Sequence, residues 1–352
     1  MKLFNNTHYQ QDLQRIAAMP LDWSMLQDRS LLISGATGMI GSFLVDLIGF
    51  KNLRDGLNCT LYALGRSEQK AQSRFSAFWE QPWFRFVCCD INAGIPLETA
   101  CVDYVLHAAS NTHPVAYATD PIGTVTTNII GTYNLLEFAA SHQTRRFLFA
   151  STVEVYGENR GDQAYFTEDY CGYIDCNTLR AGYPESKRAG EALCQAYIRQ
   201  KNLDVVIPRL SRVYGPTMLM SDTKALSQFI RNSLAGENIV LKSAGTQFFS
   251  YSYVADAVSG ILYCLCKGAC GEAYNIADQA SDITLRDLAT IIAQQAGTQV
   301  VFDLPDAVES AGFSKATTAV LDSSKLQSLG WHAQWDIETG IRQTLQILKE
   351  SQ

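Results

Sequence analysis

Short apolar runs alternate with longer, helix-length segments along most of the chain. Apolar runs bounded by turn residues are typical of buried strands, and the segments between them predict helices that cover a sheet. The predicted strands are Ser30–Ser34, Thr60–Leu64, Phe84–Cys89, Val102–His107, Arg146–Ala150 and Asp204–Pro208. The helices predicted between them include Met39–Phe50, Asn128–Ala140 and Pro184–Gln200. Because parallel strands need crossover connections, this alternation predicts βαβ units and a parallel sheet covered on both faces.

The pattern divides the chain into three parts. Residues 1–29 precede the first strand as an N-terminal extension, in which a short helix is predicted over Gln11–Ala18. Residues 30–215 carry the alternation, so we expect an α/β fold with a doubly wound parallel sheet, the Rossmann arrangement. After Tyr214 the elements are irregular, and residues 216–352 are expected to form mainly a smaller C-terminal α/β region with a crossover back to the main sheet. Its clearest elements are amphipathic helices predicted over Thr284–Ala296 and Ile337–Lys349.

Composition excludes several classes of protein. Hydrophobic residues make up 47% of the 352 residues and charged residues only 18%, which excludes a disordered polar chain and leaves ample apolar side chain for a core. The net charge of −7 provides no electrostatic footprint for nucleic acid or an anionic membrane surface. The longest apolar stretch, Ala257–Cys266, is about ten residues long, whereas a membrane span needs ~18 or more. We therefore expect no nucleic-acid partner and no membrane segment.

The ten cysteines are expected to be free thiols. The chain becomes polar directly after Phe4, so we expect no secretory signal and a cytoplasmic location, where thiols stay reduced. The nearest approach to a metal cluster is Cys264, Cys266 and Cys270, but zinc sites use separated pairs or histidine partners, and none lies nearby in the sequence. We expect these cysteines to pack within a helix and no metal to be bound.

A glycine-rich turn joins the first predicted strand to the first predicted helix. Gly35 permits a sharp turn, Gly38 lets the backbone approach a pyrophosphate, and Gly41 lets the helix pack against the sheet. The helix N-terminus presents free N–H groups and the positive end of its dipole to the phosphates. The spacing is G-x-x-G-x-x-G, so the flanking strand and helix support this interpretation more than the glycines alone. The residues expected to bind a dinucleotide here are Gly35, Thr37, Gly38, Met39, Ile40 and Gly41.

Two strand ends next to this turn bear on the choice of coenzyme. Arg66 and Ser67 follow the second strand, where an acidic residue would bind the ribose 2′-hydroxyl of NAD and an arginine can accommodate the 2′-phosphate of NADP. We therefore expect NADP to be preferred, with NAD as the alternative. Asp90 and Ile91 follow the third strand, where Asp90 either accepts a hydrogen bond from the adenine amino group or is an ordinary turn residue.

A hydroxyl, a phenol and an ammonium group are expected to meet beside the coenzyme. Thr152 lies at the end of the fifth strand, and Tyr183 and Lys187 open a helix. Four residues apart on a helix, Tyr183 and Lys187 share a face. An ammonium group there is expected to lower the pKa of the phenol from ~10 and to prepare it for proton transfer near neutral pH. The same spacing recurs at Tyr263 and Lys267, but late in the chain and without a hydroxyl-bearing strand end.

These motifs resemble those of the extended short-chain dehydrogenases/reductases, in particular the NAD-dependent epimerase/dehydratase family that modifies nucleotide sugars. The resemblance implies hydride transfer between a nicotinamide and a sugar carbon. It implies that Tyr183 is the acid/base, that Lys187 also holds the nicotinamide ribose, and that Thr152 orients the reacting oxygen. The similar segments run from Leu32 to about Trp331 and are the glycine turn, Asp90 with Ile91, 107–110, Asn128 with 131–135, 151–157, Tyr183 with Lys187, 209–216, 253–256 and 274–276.

The resemblance also implies the surroundings of the coenzyme and of the substrate. Asn128 would order a wall whose backbone lines the coenzyme, formed by His107, Ala108, Ala109 and Ser110. The region 216–352 would contribute most to binding a nucleotide-sugar substrate, with contacts from Asn111, Arg212, Phe249 and Tyr251. A homodimer is expected through the helices near Asn128–Ala140 and Pro184–Gln200.

Several positions depart from the family pattern. The family's 4,6-dehydratases carry Asp-Glu directly after the threonine, whereas this chain has Val153 and Glu154, and because valine cannot donate a proton, dehydration is disfavoured. Glu154 is kept in relatives resembling UDP-glucuronate decarboxylase, where it is either a second acid/base or a structural carboxylate. The family asparagine before Val-Tyr-Gly-Pro is Arg212 here, and the arginine usually found two residues after Gln247 is Phe249. Both family residues help to hold the nucleotide sugar, so Arg212 is a candidate to bind phosphate from a new direction.

Four functions are compatible with these observations. The first is an epimerase-type enzyme that oxidises a nucleotide sugar and re-reduces it from the other face. The second is a net reductase that consumes NADPH to reduce a keto group of a nucleotide-linked sugar or ketose, which Arg66 favours because cells use NADPH for net reduction. A UDP-glucuronate decarboxylase-like enzyme and a non-catalytic NADP sensor are further alternatives. The intact set of Thr152, Tyr183 and Lys187 argues against the sensor.

Overall fold

The computed structural model describes residues 3–97, 101–112, 117, 119–303 and 317–351. Its strands are β1 (Ser30–Ser34), β2 (Thr60–Gly65), β3 (Phe84–Cys88), β4 (Tyr104–His107), β5 (Arg146–Phe149), β6 (Ser151–Thr152), β7 (Val205–Leu210), β8 (Arg212–Tyr214), β9 (Ile239–Leu241), β10 (Phe248–Tyr253), β11 (Ala273–Ile276), β12 (Asp282–Thr284), β13 (Val300–Phe302) and β14 (Thr318–Ala319). Its α-helices are α1 (Thr7–Ala17), α2 (Met39–Asp55), α3 (Glu68–Arg74), α4 (Pro121–Thr126), α5 (Thr132–Ser141), α6 (Gly182–Lys201), α7 (Ala225–Leu234), α8 (Val254–Lys267), α9 (Leu285–Ala296), α10 (Ser324–Gln327) and α11 (Ile337–Ser351).

The central element is an eight-stranded sheet in the order β3-β2-β1-β4-β5-β7-β11, with β6 beside β7. All of its pairings are parallel. The chain moves outward from β1 to β3 and then crosses back to β4 on the other side of β1. This doubly wound order confirms the predicted α/β Rossmann fold. Ligands of such sheets bind outside the carboxyl ends of the strands where the order reverses, which here lies between β1 and β4.

Helices cover both faces of this sheet. Side chains alternate along β1, so that Leu31 and Ile33 join a core with residues of α2 and α8, whereas Leu32 joins a core with residues of α5 and α6. All five residues of β1 are buried as a result. This two-sided burial explains why the strands appear in the sequence as continuous apolar runs rather than as an alternating pattern.

The N-terminal extension is part of the same core. Helix α1 begins one turn earlier than predicted because Asn6 caps it, its side chain accepting from the N–H of Tyr9 across 3.0 Å. The Tyr9 hydroxyl donates to Asp46 of α2 across 2.7 Å, and Asp12 accepts from the hydroxyl of Tyr253 at the end of β10. The extension therefore contacts both the main sheet's helices and the C-terminal region.

The C-terminal region is more regular than predicted. Strands β12, β10 and β14 form a sheet with β8 beside β10, and β9 pairs with β13. The chain returns to the main sheet at β11, which lies beside β7. Helix α8 contains Cys264 and Cys266, as expected, whereas Cys270 lies beyond its end. Its bounds were not predicted because every residue from Val254 to Leu265 is buried, so the segment lacks the polar face from which an amphipathic helix is recognised.

Strand β7 continues two residues beyond its predicted end at Pro208. Proline cannot donate a hydrogen bond, which normally excludes it from an inner strand. Here β5 pairs with β7 only as far as Val206, and β6 resumes the pairing at Arg209. The N–H of Ile207 points away from β5 and β6 and donates to the carbonyl oxygen of Glu272, which directly precedes β11. Pro208 therefore lies at a gap where no donor is needed.

Candidate active site

The glycine turn lies between the ends of β1 and β4. Gly35 has a φ of +70°, and a Cβ added there would lie 2.8 Å from the carbonyl oxygen of Ala108. A Cβ on Gly41 would lie 2.8 Å from the Cα of Ala36 and closer still to the carbonyl oxygen of Gly35. Gly38 starts α2 without a side-chain cap. The first N–H groups of α2 therefore have no side-chain acceptor at Gly38, in a tightly packed turn at the carboxyl edge of the sheet.

The side chain of His107 holds the wall beside this turn together. Its Nδ1 lies 2.8 Å from the Ser34 hydroxyl and its Nε2 lies 2.9 Å from the Thr132 hydroxyl. The same Ser34 oxygen accepts from the N–H groups of Ala108 and Ala109, each across 3.2 Å. Burial lowers the pKa of His107 well below its usual value, so the ring is neutral. His107 thus positions the backbone of the wall and is itself too deeply buried to titrate near neutral pH.

Arg66 and Asp90 lie at the carboxyl ends of neighbouring strands. Arg66 is exposed and has no ion-pair partner among the residues described. Ser67 caps α3 by accepting from the N–H of Lys70. Asp90 accepts from the N–H of Asn92 across 2.9 Å and so caps the short 3₁₀ turn that begins at Ile91. This cap accounts for Asp90 as a turn residue, whereas nothing in the described structure occupies the guanidinium of Arg66.

Asn128 connects the coenzyme wall to the helix that carries Tyr183. It is fully buried, its Oδ1 accepts from the Ser110 hydroxyl across 2.8 Å, and its Nδ2 donates to Ser186 across 2.9 Å. Ser186 donates in turn to the carbonyl oxygen of Tyr183. The helix predicted to begin at Asn128 instead starts at Pro121 and passes through a π-helical turn, Thr127–Gly131. Such turns inside helices are frequent at functional sites.

Tyr183 and Thr152 meet as predicted. Tyr183 is only 7% exposed, and a hydrogen bond from Thr152 stabilises its ionised form. Burial outweighs this hydrogen bond, so the pKa of Tyr183 is raised and not lowered. The ring of Tyr117 stacks on Tyr183, with the centroids 5.2 Å apart. In the structure as described, Tyr183 therefore holds its proton at neutral pH.

Lys187 does not act on Tyr183 in the way the helical spacing predicts. Its ammonium nitrogen donates to the carbonyl oxygen of Ala150 across 2.9 Å and lies 4.8 Å from the centroid of the Phe149 ring. Burial lowers the pKa of Lys187 to about 8, although Glu191 opposes this shift. The expected lowering of the Tyr183 pKa is absent because the lysine is bonded to the strand end and because the phenol loses its own hydration.

Glu154 lies between two arginines. Its Oε2 accepts from Nη2 of Arg180 across 2.9 Å, and its Oε1 lies 3.9 Å from Nη2 of Arg212. The guanidinium carbon of Arg212 lies 3.5 Å from the centroid of the Phe249 ring, because Arg212 and Tyr251 are directly paired on neighbouring strands and Phe249 lies two residues before Tyr251. Position 249, where the family pattern has an arginine, is Phe249 here, and the guanidinium of Arg212 on β8 lies directly against it.

Asn111 and Tyr251, the other two residues predicted to contact the substrate, have few strong polar contacts in the described structure. The amide of Asn111 lies 3.4 Å from the Thr124 hydroxyl and 3.5 Å from Asp120, which are weak contacts. Tyr251 is buried, and this burial raises its pKa to about 12. The alternative pair is structural, since Lys267 bonds to the carbonyl oxygen of Leu329 and lies over the ring of Tyr263.

Three residues of the site were missed from the sequence. Ser186 could have been found, because it lies three residues after Tyr183 and so near the same face of α6. Arg180 lies in the 3₁₀ turn Leu179–Ala181 before that helix, so helical spacing does not identify it. Tyr117 lies in a stretch without a periodic pattern and could not be identified from the sequence.

All ten cysteines are free thiols, and the described residues contain no group of three or more His, Cys, Asp or Glu placed to hold a metal. None of the described helices is long and apolar enough to cross a bilayer.

Comparison with known proteins places this site in a family. The sequence model of the NAD dependent epimerase/dehydratase family matches residues 31–277. UDP-glucuronic acid decarboxylase 1 of Danio rerio is 30% identical over 328 residues, which cover 93% of this chain and 74% of that protein. UDP-glucuronic acid decarboxylase 6 of Arabidopsis thaliana is 32% identical over 232 residues, which cover 66% of this chain and 64% of that protein.

Solved structures show the same fold. DesIV, a dTDP-glucose 4,6-dehydratase from Streptomyces venezuelae with NAD bound, is 26% identical with a TM-score of 0.77 over 91% of this chain and 97% of that chain. UDP-glucuronic acid 4-epimerase from Bacillus cereus, solved with UDP-glucuronic acid and NAD, is 23% identical with a TM-score of 0.76 over 91% of this chain and 99% of that chain. The chain is therefore an enzyme of the NAD-dependent epimerase/dehydratase family, a group of extended short-chain dehydrogenases/reductases that act on nucleotide sugars.

Proposed function

We propose that the protein is an NADPH-dependent reductase of a keto group on a nucleotide-linked sugar or ketose. The observation that carries this proposal is the exposed guanidinium of Arg66 at the end of β2, which has no ion-pair partner among the described residues and suits the 2′-phosphate of NADPH, the coenzyme that cells use for net reduction. Reduction of a carbonyl needs an acid at its oxygen, whereas oxidation of a hydroxyl needs a base there. The phenol of Tyr183, buried beside Thr152, is placed to supply that acid.

The turn and the strand ends fit a dinucleotide. Gly35 and Gly41 have no room for a Cβ, so the turn is tightly packed, and the uncapped N-terminus of α2 suits a pyrophosphate. The guanidinium of Arg66, which has no ion-pair partner in the described part of the chain, suits a 2′-phosphate, and this supports NADP as the preferred coenzyme over the NAD found in the solved relatives. NADPH held at this turn would supply a hydride to the carbonyl carbon of the substrate.

The residues of this chain position the substrate and move the proton. Tyr183 donates its phenolic proton to the carbonyl oxygen of the substrate as that oxygen becomes an alcohol, and it regains a proton from solvent. Thr152 orients the same oxygen through its hydroxyl. Lys187 fixes α6 against Ala150, and Asn128 fixes it against the coenzyme wall. The phenol is thereby held against the carboxyl edge of the sheet.

The surroundings of Thr152 oppose chemistry that needs a second proton donor. Val153 is buried and apolar, and Glu154 is engaged by Arg180 and Arg212. A dehydratase must protonate a leaving hydroxyl, and neither residue is available for that step.

A decarboxylase acting on a nucleotide-linked uronic acid is the second candidate. The two curated relatives described above are UDP-glucuronic acid decarboxylases, and Arg180 and Arg212 could hold a carboxylate of the substrate.

We also propose a homodimer through α4 to α6, because this surface exposes large apolar side chains, Ile122, Ile130 and Tyr133. A cytoplasmic location is proposed because all ten cysteines are free thiols, which is typical of a reducing compartment.

Absorbance of reduced nicotinamide tests the assignment directly. The protein is mixed with NADPH and a panel of nucleotide-linked keto sugars and ketoses, with Tyr183→Phe as the control. Loss of one NADPH per alcohol formed is the expected result. Conversion of a nucleotide sugar without net absorbance change would instead identify an epimerase. Release of CO₂ from UDP-glucuronate would identify a decarboxylase, and tight coenzyme binding without any turnover would identify a sensor.

A further inference from the structure

Glu191 of α6 binds two residues that are neighbours in the main sheet. Its Oε1 accepts from the Ser151 hydroxyl across 2.5 Å and from Nε of Arg209 across 3.0 Å, and its Oε2 accepts from Nη2 of Arg209 across 2.7 Å. Ser151 on β6 and Arg209 on β7 are directly paired in that sheet. One carboxylate therefore joins two adjacent strands to the helix that carries Tyr183.

Glu191 completes a series of contacts between α6 and the strand end 150–152. Tyr183, Lys187 and Glu191 are four residues apart and so lie along one face of the helix. Each binds a different residue of the strand end, in the pairs Tyr183 with Thr152, Lys187 with Ala150 and Glu191 with Ser151. Because Ser151 lies between the other two, its contact with Glu191 holds the backbone that positions both the threonine hydroxyl and the carbonyl oxygen bound by the lysine.

Arg209 is held on its other side as well. Its Nη1 donates to the Tyr156 hydroxyl across 3.0 Å and to the carbonyl oxygen of Glu168 across 2.7 Å. The Tyr156 hydroxyl donates in turn to Oδ1 of Asn275 on β11 across 2.5 Å. The side chains of Glu191 and Arg209 are only 14% and 13% exposed. This pair is therefore fixed by neighbours from several elements, which gives Glu191 a single orientation toward β6.

Glu191 also supplies the negative charge that acts on Lys187. Its carboxylate opposes the effect of burial, which lowers the pKa of the ammonium to about 8. The other titratable groups in electrostatic contact with Lys187 are Cys194 on the same helix and His107 on β4. Burial raises the pKa of the Cys194 thiol and lowers that of the His107 ring, so both are neutral near pH 7. Among these groups, Glu191 alone carries a negative charge there.

We propose that Glu191 is a positioning residue of the active site, which holds the strand end 150–152 against α6 through Ser151 and provides the counter-charge of Lys187. Glu191 acts through these two residues, so it is not itself a catalytic residue. The inference goes beyond the proposed function, because it concerns the set Thr152, Tyr183 and Lys187 whichever nucleotide sugar is turned over. A buried ion pair that only stabilises the fold is the alternative, and the experiment has to separate the two.

The titration of Lys187 tests the counter-charge without any substrate. Glu191→Gln removes the charge and keeps an oxygen for Ser151. The matched control is Asp204→Asn, which removes the charge of a partly buried ion pair with Arg146 at the amino ends of β5 and β7. Urea unfolding of each protein with and without Lys187→Met, from about pH 6 to pH 10.5, gives a difference that rises as the folded lysine loses its proton. We expect this rise to begin about one pH unit lower in Glu191→Gln than in the wild type, and at the wild-type pH in Asp204→Asn.

Ser151→Ala tests the contact separately, because it removes the hydroxyl and keeps the ion pair. With the nucleotide-sugar substrate found in the absorbance screen, we expect kcat to fall by about tenfold in Ser151→Ala and in Glu191→Gln, with KM within about twofold of the wild type and Asp204→Asn unchanged. Wild-type kcat in Ser151→Ala overturns the proposal, as does a rise in Glu191→Gln that begins within about 0.3 pH unit of the wild type. If Glu191→Gln does not fold, Ser151→Ala decides. If the screen finds no substrate, the reductase is rejected and the titration of Lys187 decides.

Discussion

The ammonium nitrogen of Lys187 donates to the carbonyl oxygen of Ala150 across 2.9 Å. Ala150 joins β5 to β6 and directly precedes Ser151 and Thr152. The lysine therefore fixes the helix that carries Tyr183 against the strand end that carries Thr152. This contact is nearly inaccessible to solvent, since Lys187 is only 2% exposed, and burial lowers its pKa to about 8.

The buried lysine should make stability depend on pH in a defined direction. Between pH 8 and ~10.4 the unfolded chain keeps the lysine proton while the folded chain loses it, so the contribution of Lys187 to stability rises with pH in this window. We expect the stability of the wild type minus that of Lys187→Met to increase by about 2 to 3 kcal/mol from pH 7 to pH 10.5. Urea unfolding at a series of pH values measures this difference, and the subtraction removes the titration of other groups. A difference that is flat or falls with pH would show that Lys187 is not a desolvated cation.

Removal of the Asn128 side chain should lower the stability of the protein and the precision with which Tyr183 is positioned. Asn128→Ala leaves the hydroxyls of Ser110 and Ser186 without their partner, which we expect to cost about 1 to 3 kcal/mol of stability. It should also lower kcat more than it raises KM, because Tyr183 is less well positioned. Urea unfolding and steady-state kinetics test this, with Asn177→Ala in an exposed loop as the control. A loss of stability no larger than that of the control would contradict the role of Asn128.

Two glycines of the turn should respond differently to the same substitution. In Gly41→Ala the new methyl group meets the backbone of Ala36 at 2.8 Å, and we expect a destabilisation of about 1 to 3 kcal/mol. In Gly38→Ala the nearest atom is 3.2 Å away, so stability should change little while NADP⁺ binding weakens, because the methyl group keeps the pyrophosphate from the backbone. Thermal unfolding without coenzyme and NADP⁺ titration separate the two effects. A larger loss of stability in Gly38→Ala than in Gly41→Ala would be inconsistent with this packing.

The exposed guanidinium of Arg66 should set the choice of coenzyme. Arg66→Asp is expected to weaken NADP⁺ binding by about tenfold or more and to favour NAD⁺, because a carboxylate repels the 2′-phosphate and accepts from the 2′-hydroxyl. Arg54→Asp makes the same charge change at the far end of α2 and is the control. The ratio of the two dissociation constants is the quantity to measure. An unchanged ratio in Arg66→Asp would remove the argument for NADP.

The sequence was sufficient for six of the eight strands of the main sheet, whereas β6 and β11 were not predicted. Parallel strands buried on both faces are continuous apolar runs, and the site lies at their carboxyl ends, so Thr152 and Gly35 could be placed without coordinates. The bounds of helix α8 could not be predicted, because a buried helix has no polar face. The start of α1 was missed because it depends on a single cap at Asn6.

The features of the site that could not be predicted from the sequence depend on contacts between elements that are far apart in the chain. The spacing of Tyr183 and Lys187 is helical, yet the lysine bonds to Ala150, and only the fold shows how deeply the phenol is buried. The substitutions at Arg212 and Phe249 looked like separate departures from the family. The pairing of β8 with β10 brings the guanidinium of Arg212 onto the ring of Phe249, a contact that the sequence alone does not show.

Removal of the phenolic hydroxyl tests the proton donor. Tyr183→Phe keeps the ring stacked on Tyr117 but has no proton to give, so we expect turnover to fall by about 10² to 10⁴-fold with NADP⁺ affinity unchanged. Steady-state rates and coenzyme titration measure the two effects. Activity near that of the wild type would exclude Tyr183 as the acid.

Isotope transfer is the most direct test of hydride chemistry at this site. NADPH carrying deuterium at the transferred position of the nicotinamide is incubated with the protein and the keto substrate found in the absorbance screen, and the product is analysed by mass spectrometry and NMR. Our account predicts one deuterium in the product alcohol, on the former carbonyl carbon, for each NADPH oxidised. A product without deuterium, formed while the coenzyme keeps its label, would contradict it.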